Sequence, residues 1–150
     1  MTDQDDIDVL LVEDDADAAE LTLRALRKAN IALRVVHEVD GVAALEFLFG
    51  TGSHANRAGA APPRLVLLDL RLPRMDGLAV LRRAKSDPRT RDLPFVVLSS
   101  SVSGDDVREC YRAGANSYIV KPIDYPELVA MLGDVVRYWL QVNVPASRGI

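Results

Sequence analysis

The 150-residue sequence is poor in cysteine and aromatic residues, and it has neither a long apolar run nor an excess of positive charge. The single cysteine, Cys110, excludes an internal disulfide, and no cysteine–histidine cluster has the spacing of a zinc site. No apolar run approaches the length of a membrane span, and the acidic N-terminus is unlike a signal peptide. The net charge of −4 argues against a general nucleic-acid binder, which would carry a basic stripe. We therefore expect a cytoplasmic protein that binds neither a membrane nor nucleic acid.

The apolar runs that are present are short, and an amphipathic segment follows each of them. Short runs without polar alternation are typical of strands buried on both faces, as in a parallel sheet covered by helices. Five such strands alternating with five helices predict an α/β fold with one doubly wound, five-stranded parallel sheet. The length fits one domain, for which we expect residues 7–140, between tails at 1–6 and 141–150. The predicted strands are residues 7–12, 33–37, 65–68, 95–98 and 117–120.

Residues 51–63, TGSHANRAGAAPP, predict a flexible surface loop that is unusually long for a connection between a helix and a strand. One of the two histidines, His54, lies in this loop, and the other, His37, ends the second strand. We expect both to be solvent-exposed or structural. Since neither is placed near Ser99, a serine–histidine hydrolase is disfavoured.

Charged or polar residues follow four of the five predicted strands. Glu13 and Asp14 follow the first strand, Asp69 the third, Ser99 the fourth and Lys121 the fifth. Because the carboxyl ends of parallel strands lie along one edge of a sheet, we expect these side chains to converge there. Carboxylates that lie this close repel one another and raise one another's pKa. A Mg²⁺ ion, which prefers oxygen ligands, and the ammonium group of Lys121 would both relieve the repulsion.

This set of groups is suited to a phosphoryl group. The metal and Lys121 would neutralise its oxygens, and the Ser99 hydroxyl would donate a hydrogen bond to one of them. Asp69 is the natural nucleophile, because carboxylates can form aspartyl phosphates.

The same stretches resemble the receiver domain of bacterial two-component response regulators. The resemblance covers residues 7–140 and implies a flavodoxin-like fold with strand order 2-1-3-4-5, known from the chemotaxis member of the family. No pattern after Leu140 predicts a second domain, so a stand-alone receiver is expected. The long loop and the extended last helix are similar to the small regulators that pair with bacterial and cyanobacterial phytochrome kinases. The matching stretches are LLVEDD at 10–15, LVLLDLRLPRMDG at 65–77, FVVLSSS at 95–101 and GANSYIVKPID at 114–124.

The resemblance implies a phosphoacceptor and a metal site. Asp69 would take a phosphoryl group from a phosphohistidine on a sensor histidine kinase, with a bacteriophytochrome as one possible source. Mg²⁺ would be bound directly by Asp14, Asp69 and the backbone carbonyl of Arg71, and through water by Glu13. Glu13 stands where the family more often has Asp, and its extra methylene fits a ligand that acts through water.

The resemblance also implies a switch. Ser99 would be the switch hydroxyl, and Tyr118 the aromatic residue that turns inward when Ser99 moves toward the phosphoryl group. Lys121 would pair with a phosphoryl oxygen, and the peptide bond between Lys121 and Pro122 would be cis, which proline permits at small cost.

Two other functions are compatible with part of the pattern. An aspartate-nucleophile phosphatase that uses Mg²⁺ would share the chemistry at the strand ends, but it would place a second Asp where this chain has Arg71. A receiver used only as a binding module would not need the intact set, which consists of Glu13, Asp14, Asp69, Ser99 and Lys121. Because Arg71 borders the path of an attacking water, the lifetime of the phosphorylated state is left open.

The last helix, predicted from Tyr125 to about Leu140, carries two apolar stripes. One stripe can face the sheet, and we expect the other to form a contact surface. The prediction is a homodimer through the face made by the fourth helix, the fifth strand and the fifth helix. The alternative is a wide core face covered by the C-terminal tail. The predicted interface residues are Leu128, Leu132, Val136, Trp139 and Leu140.

Overall fold

A computed structural model describes residues 6–146 and has the predicted five-stranded parallel sheet, with strand order β2-β1-β3-β4-β5. The predicted strand bounds agree with the observed ones to within two residues. Within the described residues, no helix is long and apolar enough to cross a membrane. The strands are β1 (Val9–Val12), β2 (Val35–Glu38), β3 (Leu65–Leu68), β4 (Phe95–Ser99) and β5 (Ser117–Val120). The helices are α1 (Ala16–Ala29), α2 (Gly41–Phe49), α3 (Gly77–Lys85), α4 (Gly104–Arg112) and α5 (Tyr125–Arg137), which continues into a π-helical turn, Tyr138–Val142.

The central strands are buried on both faces because helices cover both sides of the sheet. Alternate residues of a strand point to opposite faces, so Leu10 and Val12 pack with α2, α3 and α4. Val9 and Leu11 pack on the other side with α1 and α5. Each fully buried side chain of this size stabilises the fold by about 1.5–3 kcal/mol. The strand ends are therefore carried on a rigid, double-sided core.

The strand register places the polar strand ends side by side. Val12 of β1 is paired with Leu68 of β3, and the Asp69 amide donates to the Val12 carbonyl at 3.1 Å. Farther along the same edge, between β4 and β5, the Lys121 amide donates to the Ser99 carbonyl at 2.8 Å. Residues that follow neighbouring strands thus meet at the carboxyl edge of the sheet.

Four helices start at a side chain that caps the free backbone amides of the first turn. Such a cap contributes about 1 kcal/mol compared with alanine. Because the caps lie shortly after the strand ends, they also fix where each helix begins relative to the carboxyl edge of the sheet. The bonds are Ala18 N to Asp15 (2.9 Å), Ala43 N to Asp40 (2.8 Å), Ala79 N to Asp76 (2.9 Å) and Asp106 N to Ser103 (3.4 Å).

The connection between α2 and β3, predicted to be a flexible loop, contains a short helical segment, Gly52–Arg57, that docks on the domain. His54 Nε2 lies 2.6 Å from an oxygen of Glu38, and the Arg57 guanidinium lies 3.9 Å from the centre of the Phe47 ring. His54 is therefore structural rather than solvated. Composition did not reveal this docking because the contacts join residues that are distant in the sequence.

The prediction that α5 leaves an apolar stripe free for a partner is wrong. Leu128, Leu132 and Val136 are 8%, 0% and 3% exposed and belong to the core. Trp139 and Leu140 are half-buried and pack against the same core. The reason is that α5 packs against α1 as well as against the sheet, so both stripes are covered within one chain. The structure has the wide core face of the alternative considered for this helix, and the residues packed against it come from the sheet and α1. Cover by the C-terminal tail, which that alternative included, stays a prediction.

The predicted cis peptide bond between Lys121 and Pro122 is also wrong. All peptide bonds within residues 6–146 are trans. The difference between the two isomers before proline is only about 0.5–1 kcal/mol, so a motif does not by itself fix the isomer.

Candidate functional site

Three carboxylates meet where β1 and β3 end. Glu13, Asp14 and Asp69 each offer one oxygen, and these oxygens all lie within 4.8 Å of one another. Glu13 is buried, Asp69 is half-buried, and Asp14 is exposed at the mouth of the cluster. The convergence predicted from the parallel sheet is therefore present in the structure.

Lys121 reaches this cluster from the end of β5. Its ammonium group forms a short hydrogen bond to Glu13 Oε1 and lies 3.5 Å from Asp69 Oδ2. Burial lowers the pKa of Lys121, but the bond to Glu13 and the charge of Asp69 outweigh burial and raise that pKa above its ordinary value. Lys121 is therefore a fixed positive charge between two carboxylates.

The negative charges in the cluster outnumber the positive ones, and the effect is seen in the pKa of Glu13. Burial raises the pKa of Glu13 above its ordinary value, and the neighbouring Asp69 carboxylate adds to the rise, although the bond from Lys121 opposes it. Three carboxylates face one ammonium group, which leaves a net negative charge. The donor set consists of oxygen atoms alone, as hard divalent cations prefer. The residues present thus fit a divalent metal site.

The loop after β3 turns back toward the Asp69 carboxylate. The Arg71 backbone amide donates a hydrogen bond to Asp69 Oδ1 at 3.4 Å, so the Arg71 backbone lies beside the cluster. The expected role of the Arg71 carbonyl as a metal ligand stays a prediction. The Arg71 side chain is exposed and points toward α4, where its guanidinium lies 3.4 Å from Asp106.

Ser99 and Tyr118 are brought together by a residue that the sequence analysis did not single out, Ser101. The buried Ser99 hydroxyl accepts a hydrogen bond from the Ser101 amide at 3.1 Å. The Tyr118 hydroxyl donates to the Ser101 carbonyl at 2.9 Å, and the Ser101 hydroxyl donates to Asp106 at 2.5 Å. Ser101 therefore links Ser99 to Tyr118 and to the first turn of α4 through hydrogen bonds. The run of three serines was visible in the sequence, but its partners were not.

His37 supports the acidic cluster from β2. Its Nε2 lies 2.7 Å from the backbone carbonyl of Glu13, and the Glu13 amide donates to the Glu38 carbonyl at 3.0 Å. The expectation of a structural histidine holds. Its place beside the site had no signal in the sequence, since the contact is made to backbone.

An open sheet of this order, with an acid cluster and a lysine at its carboxyl edge, is the arrangement that the resemblance to receiver domains predicts. Residues 9–133 match the family model of the response regulator receiver domain. The chain therefore belongs to the response regulator receiver family.

Two relatives are similar over nearly their whole length. The probable methanogenesis regulatory protein FilR2 of Methanothrix harundinacea is 40% identical over 140 residues, which cover 93% of this chain and 88% of FilR2. The response regulator Rcp1 of Synechocystis sp. is 35% identical over 140 residues, which cover 93% of each protein. The similarity thus spans most of this chain and most of each relative.

Solved structures of response regulators have the same fold. Phosphorylated RcpA, a cyanobacterial phytochrome response regulator, superposes with a TM-score of 0.86 at 35% identity, over 94% of this chain and 99% of RcpA. The Mn²⁺-bound form of Rcp1 superposes with a TM-score of 0.82 at 34% identity, over 91% of this chain and 96% of Rcp1. A divalent metal bound to a receiver of this group agrees with the donor set of Glu13, Asp14 and Asp69.

Proposed function

We propose that this response regulator accepts a phosphoryl group on Asp69 from a sensor histidine kinase, in a reaction that requires Mg²⁺, and that phosphorylation switches its contacts with partners. The observation that carries the proposal is the placement of Lys121 between Glu13 and Asp69 in a cluster of three carboxylates. Family membership favours this switch over a phosphatase with an aspartate nucleophile, in line with Arg71 at the position of the second Asp.

The transfer itself needs little from the protein beyond positioning and charge. An oxygen of Asp69 forms a bond to phosphorus while the bond from phosphorus to the kinase histidine breaks, and the electron pair leaves with the imidazole. Lys121 pairs with a phosphoryl oxygen in place of Glu13. Mg²⁺, bound by Asp14, Asp69 and the Arg71 carbonyl and through water by Glu13, would neutralise further negative charge on the phosphoryl group.

The switch would run through Ser99. A phosphoryl group on Asp69 adds strong acceptor oxygens, to one of which the Ser99 hydroxyl donates. Movement of Ser99 would loosen its bond to the Ser101 amide, and Ser101 also holds Tyr118 and Asp106. The response would therefore reach α4 and β5, where a partner could read it.

The proposed receiver unit spans residues 7–140, with residues 1–6 and 141–150 as tails. Two contacts support a unit that extends beyond the matched range of 9–133 at both ends. Asp8 accepts from the Arg34 amide at 2.9 Å, and Arg64 donates to the Leu140 carbonyl at 2.6 Å. The cytoplasm is the proposed location, because the kinase that would supply the phosphoryl group draws on cytoplasmic ATP.

Phosphotransfer from a purified kinase tests the proposal. A sensor histidine kinase, first autophosphorylated on histidine with labelled ATP, should pass its label to the wild-type protein when Mg²⁺ is present. Asp69→Asn should receive none. A phytochrome kinase is the specific partner that the similarity to RcpA suggests, and transfer from it should be faster than transfer from a histidine kinase that senses a signal other than light. Label on Asp69→Asn, or no transfer from any histidine kinase, would refute the proposal.

A homodimer through α4, β5 and α5 remains part of the proposal, but other residues must carry it. Tyr111, Val120 and Tyr138 are 50%, 44% and 49% exposed on these elements. Val120→Glu should convert a dimer into a monomer in light scattering, whereas Ile31→Glu, at an exposed position between α1 and β2, should not. A monomeric wild-type protein in both phosphorylated and unphosphorylated form would contradict the dimer.

A further inference from the structure

Arg74, in the loop between β3 and α3, has a left-handed backbone with a φ of 63°. It is the only non-glycine residue with positive φ among residues 6–146. This conformation costs a residue with a side chain about 1–2 kcal/mol. Such a residue keeps the conformation only where its surroundings hold it there.

Asp40 is what holds Arg74. The guanidinium donates two bonds, from Nε to Asp40 Oδ2 and from Nη2 to Asp40 Oδ1, both at 2.9 Å. Asp40 is buried, and the same carboxylate caps α2 by accepting from the Ala43 amide. Burial raises the pKa of Asp40, but the bonds from Arg74 and from backbone amides lower it below its ordinary value. The carboxylate thus stays ionised and pairs with both nitrogens in the geometry typical of strong arginine–carboxylate contacts.

The loop that carries Arg74 is in direct contact with α2 and with the acceptor. A β-carbon on Gly41, the first residue of α2, would lie 1.9 Å from the Met75 carbonyl oxygen. A β-carbon on Gly77 would lie 2.1 Å from the Asp69 carbonyl oxygen. With no space at either end, a displacement at Arg74 is transmitted toward the backbone of residues 69–71.

We propose that Asp40 and Arg74 form a positioning pair for metal binding. The pair ties the loop of residues 70–76 to the start of α2 and thereby holds the Asp69 carboxylate and the Arg71 carbonyl in the orientation that a divalent cation needs. Neither residue touches the cation or the phosphoryl group. The inference rests on the proposed function, in which Asp69 and Arg71 are metal ligands.

Calorimetric titration with Mg²⁺ tests the pair. Arg74→Gln and Asp40→Asn should each raise the Kd for Mg²⁺ about tenfold, as loss of groups that orient metal ligands does. Asparagine keeps an oxygen for the cap of α2, so the helix start is preserved. The double variant should bind Mg²⁺ no more weakly than either single variant, because both remove the same contact. At saturating Mg²⁺, the rate of phosphorylation by acetyl phosphate should return to the wild-type value.

Arg89→Gln is the matched control. Arg89 forms an equally bidentate pair with Asp87, at 3.0 and 2.9 Å, and the Asp87 side chain is 12% exposed against 11% for Asp40. This pair lies beyond the far end of α3, so its loss should lower thermal stability without changing the Kd for Mg²⁺.

The outcomes separate the two proposals. Wild-type binding with the same Kd in Arg74→Gln, or an equal weakening in Arg89→Gln, would overturn the positioning role and leave the proposed function standing. A wild-type protein that binds no Mg²⁺ would overturn both.

Discussion

At the scale of single residues, the acid cluster lowers the stability of the fold but provides oxygen ligands for a cation. Glu13 is 3% exposed, bonded to Lys121 and beside Asp69, and burial together with that neighbour raises its pKa. Carboxylates crowded in this way cost free energy when all are ionised. The cost falls when a cation binds among the carboxylates, so binding of a divalent cation should stabilise the fold.

The raised pKa of Glu13 gives a prediction about stability and pH. A carboxyl group whose folded-state pKa lies above its ordinary value of 4.5 stabilises the fold fully below pH 4.5. That contribution is lost as the pH rises through the folded-state pKa. Glu13→Gln should therefore be more stable than the wild type at neutral pH, and close to it below pH 4.5.

Urea unfolding in the absence of divalent cations measures this difference. Glu20→Gln is the control, since Glu20 is an exposed residue of α1 paired with Arg24. It should not reproduce the pH-dependent gain. A Glu13→Gln protein that is less stable than the wild type at neutral pH would show that the bond to Lys121 outweighs the crowding.

At the scale of elements, the segment Gly52–Arg57 is the largest departure from the sequence analysis. Its composition is that of a loop, yet His54 contacts Glu38 of β2 and packs edge-to-face with Phe47, with 5.2 Å between the two ring centroids. Two side chains from a polar stretch thus fasten the segment to α2 and to the end of β2. The composition of a segment indicates how much conformational entropy is lost when the segment becomes ordered. It does not show contacts such as these, whose partners lie elsewhere in the sequence and come close only in the folded protein.

His54→Ala should release this segment from the domain. The change removes the contact with the Glu38 carboxylate and the contact with the Phe47 ring, and we expect the free energy of unfolding to fall by about 1 kcal/mol. Trypsin should then cleave after Arg57 faster than in the wild type, because the bonds of Arg57 to the Phe47 and Ala61 carbonyls would loosen. Asn56→Ala, an exposed position in the same segment, should leave the cleavage rate unchanged. Equal cleavage in both variants would contradict the docking role of His54.

At the scale of the whole molecule, the sequence was most informative where topology alone decides the geometry. Parallel strands must place Glu13, Asp69 and Lys121 along one edge, and the structure brings them together. Contacts made by loops were not predictable in this way. The Arg74–Asp40 pair joins residues 34 positions apart and depends on a left-handed residue, for which the sequence carried no signal.

The two apolar stripes predicted for α5 are present, but the prediction that one of them forms a free surface is wrong. Periodicity shows which faces of a helix are apolar, but it does not show how many neighbours cover them. In the fold, α5 packs against both the sheet and α1, so Leu132 and Val136 are both core residues. A helix with two covered faces has the same sequence signature as one with a free interface.

Leu132→Ala distinguishes the two interpretations of α5. Leu132 is 0% exposed, and its truncation should lower the free energy of unfolding by about 2–5 kcal/mol. The oligomeric state of the protein that remains folded should not change. A variant of normal stability and altered mass in light scattering would place Leu132 at an interface instead of in the core.

The most direct test of the account is an intact mass measured after incubation with acetyl phosphate. If Asp69 is the phosphoacceptor and needs Mg²⁺, we expect one added phosphoryl group on the wild-type protein when Mg²⁺ is present. We expect none without Mg²⁺ and none on Asp69→Asn. Beryllium fluoride, which mimics the phosphoryl group, should bind the wild type stably and so guard against rapid hydrolysis of the adduct. A wild-type protein that gains no phosphoryl group and binds no beryllium fluoride would contradict the central claim.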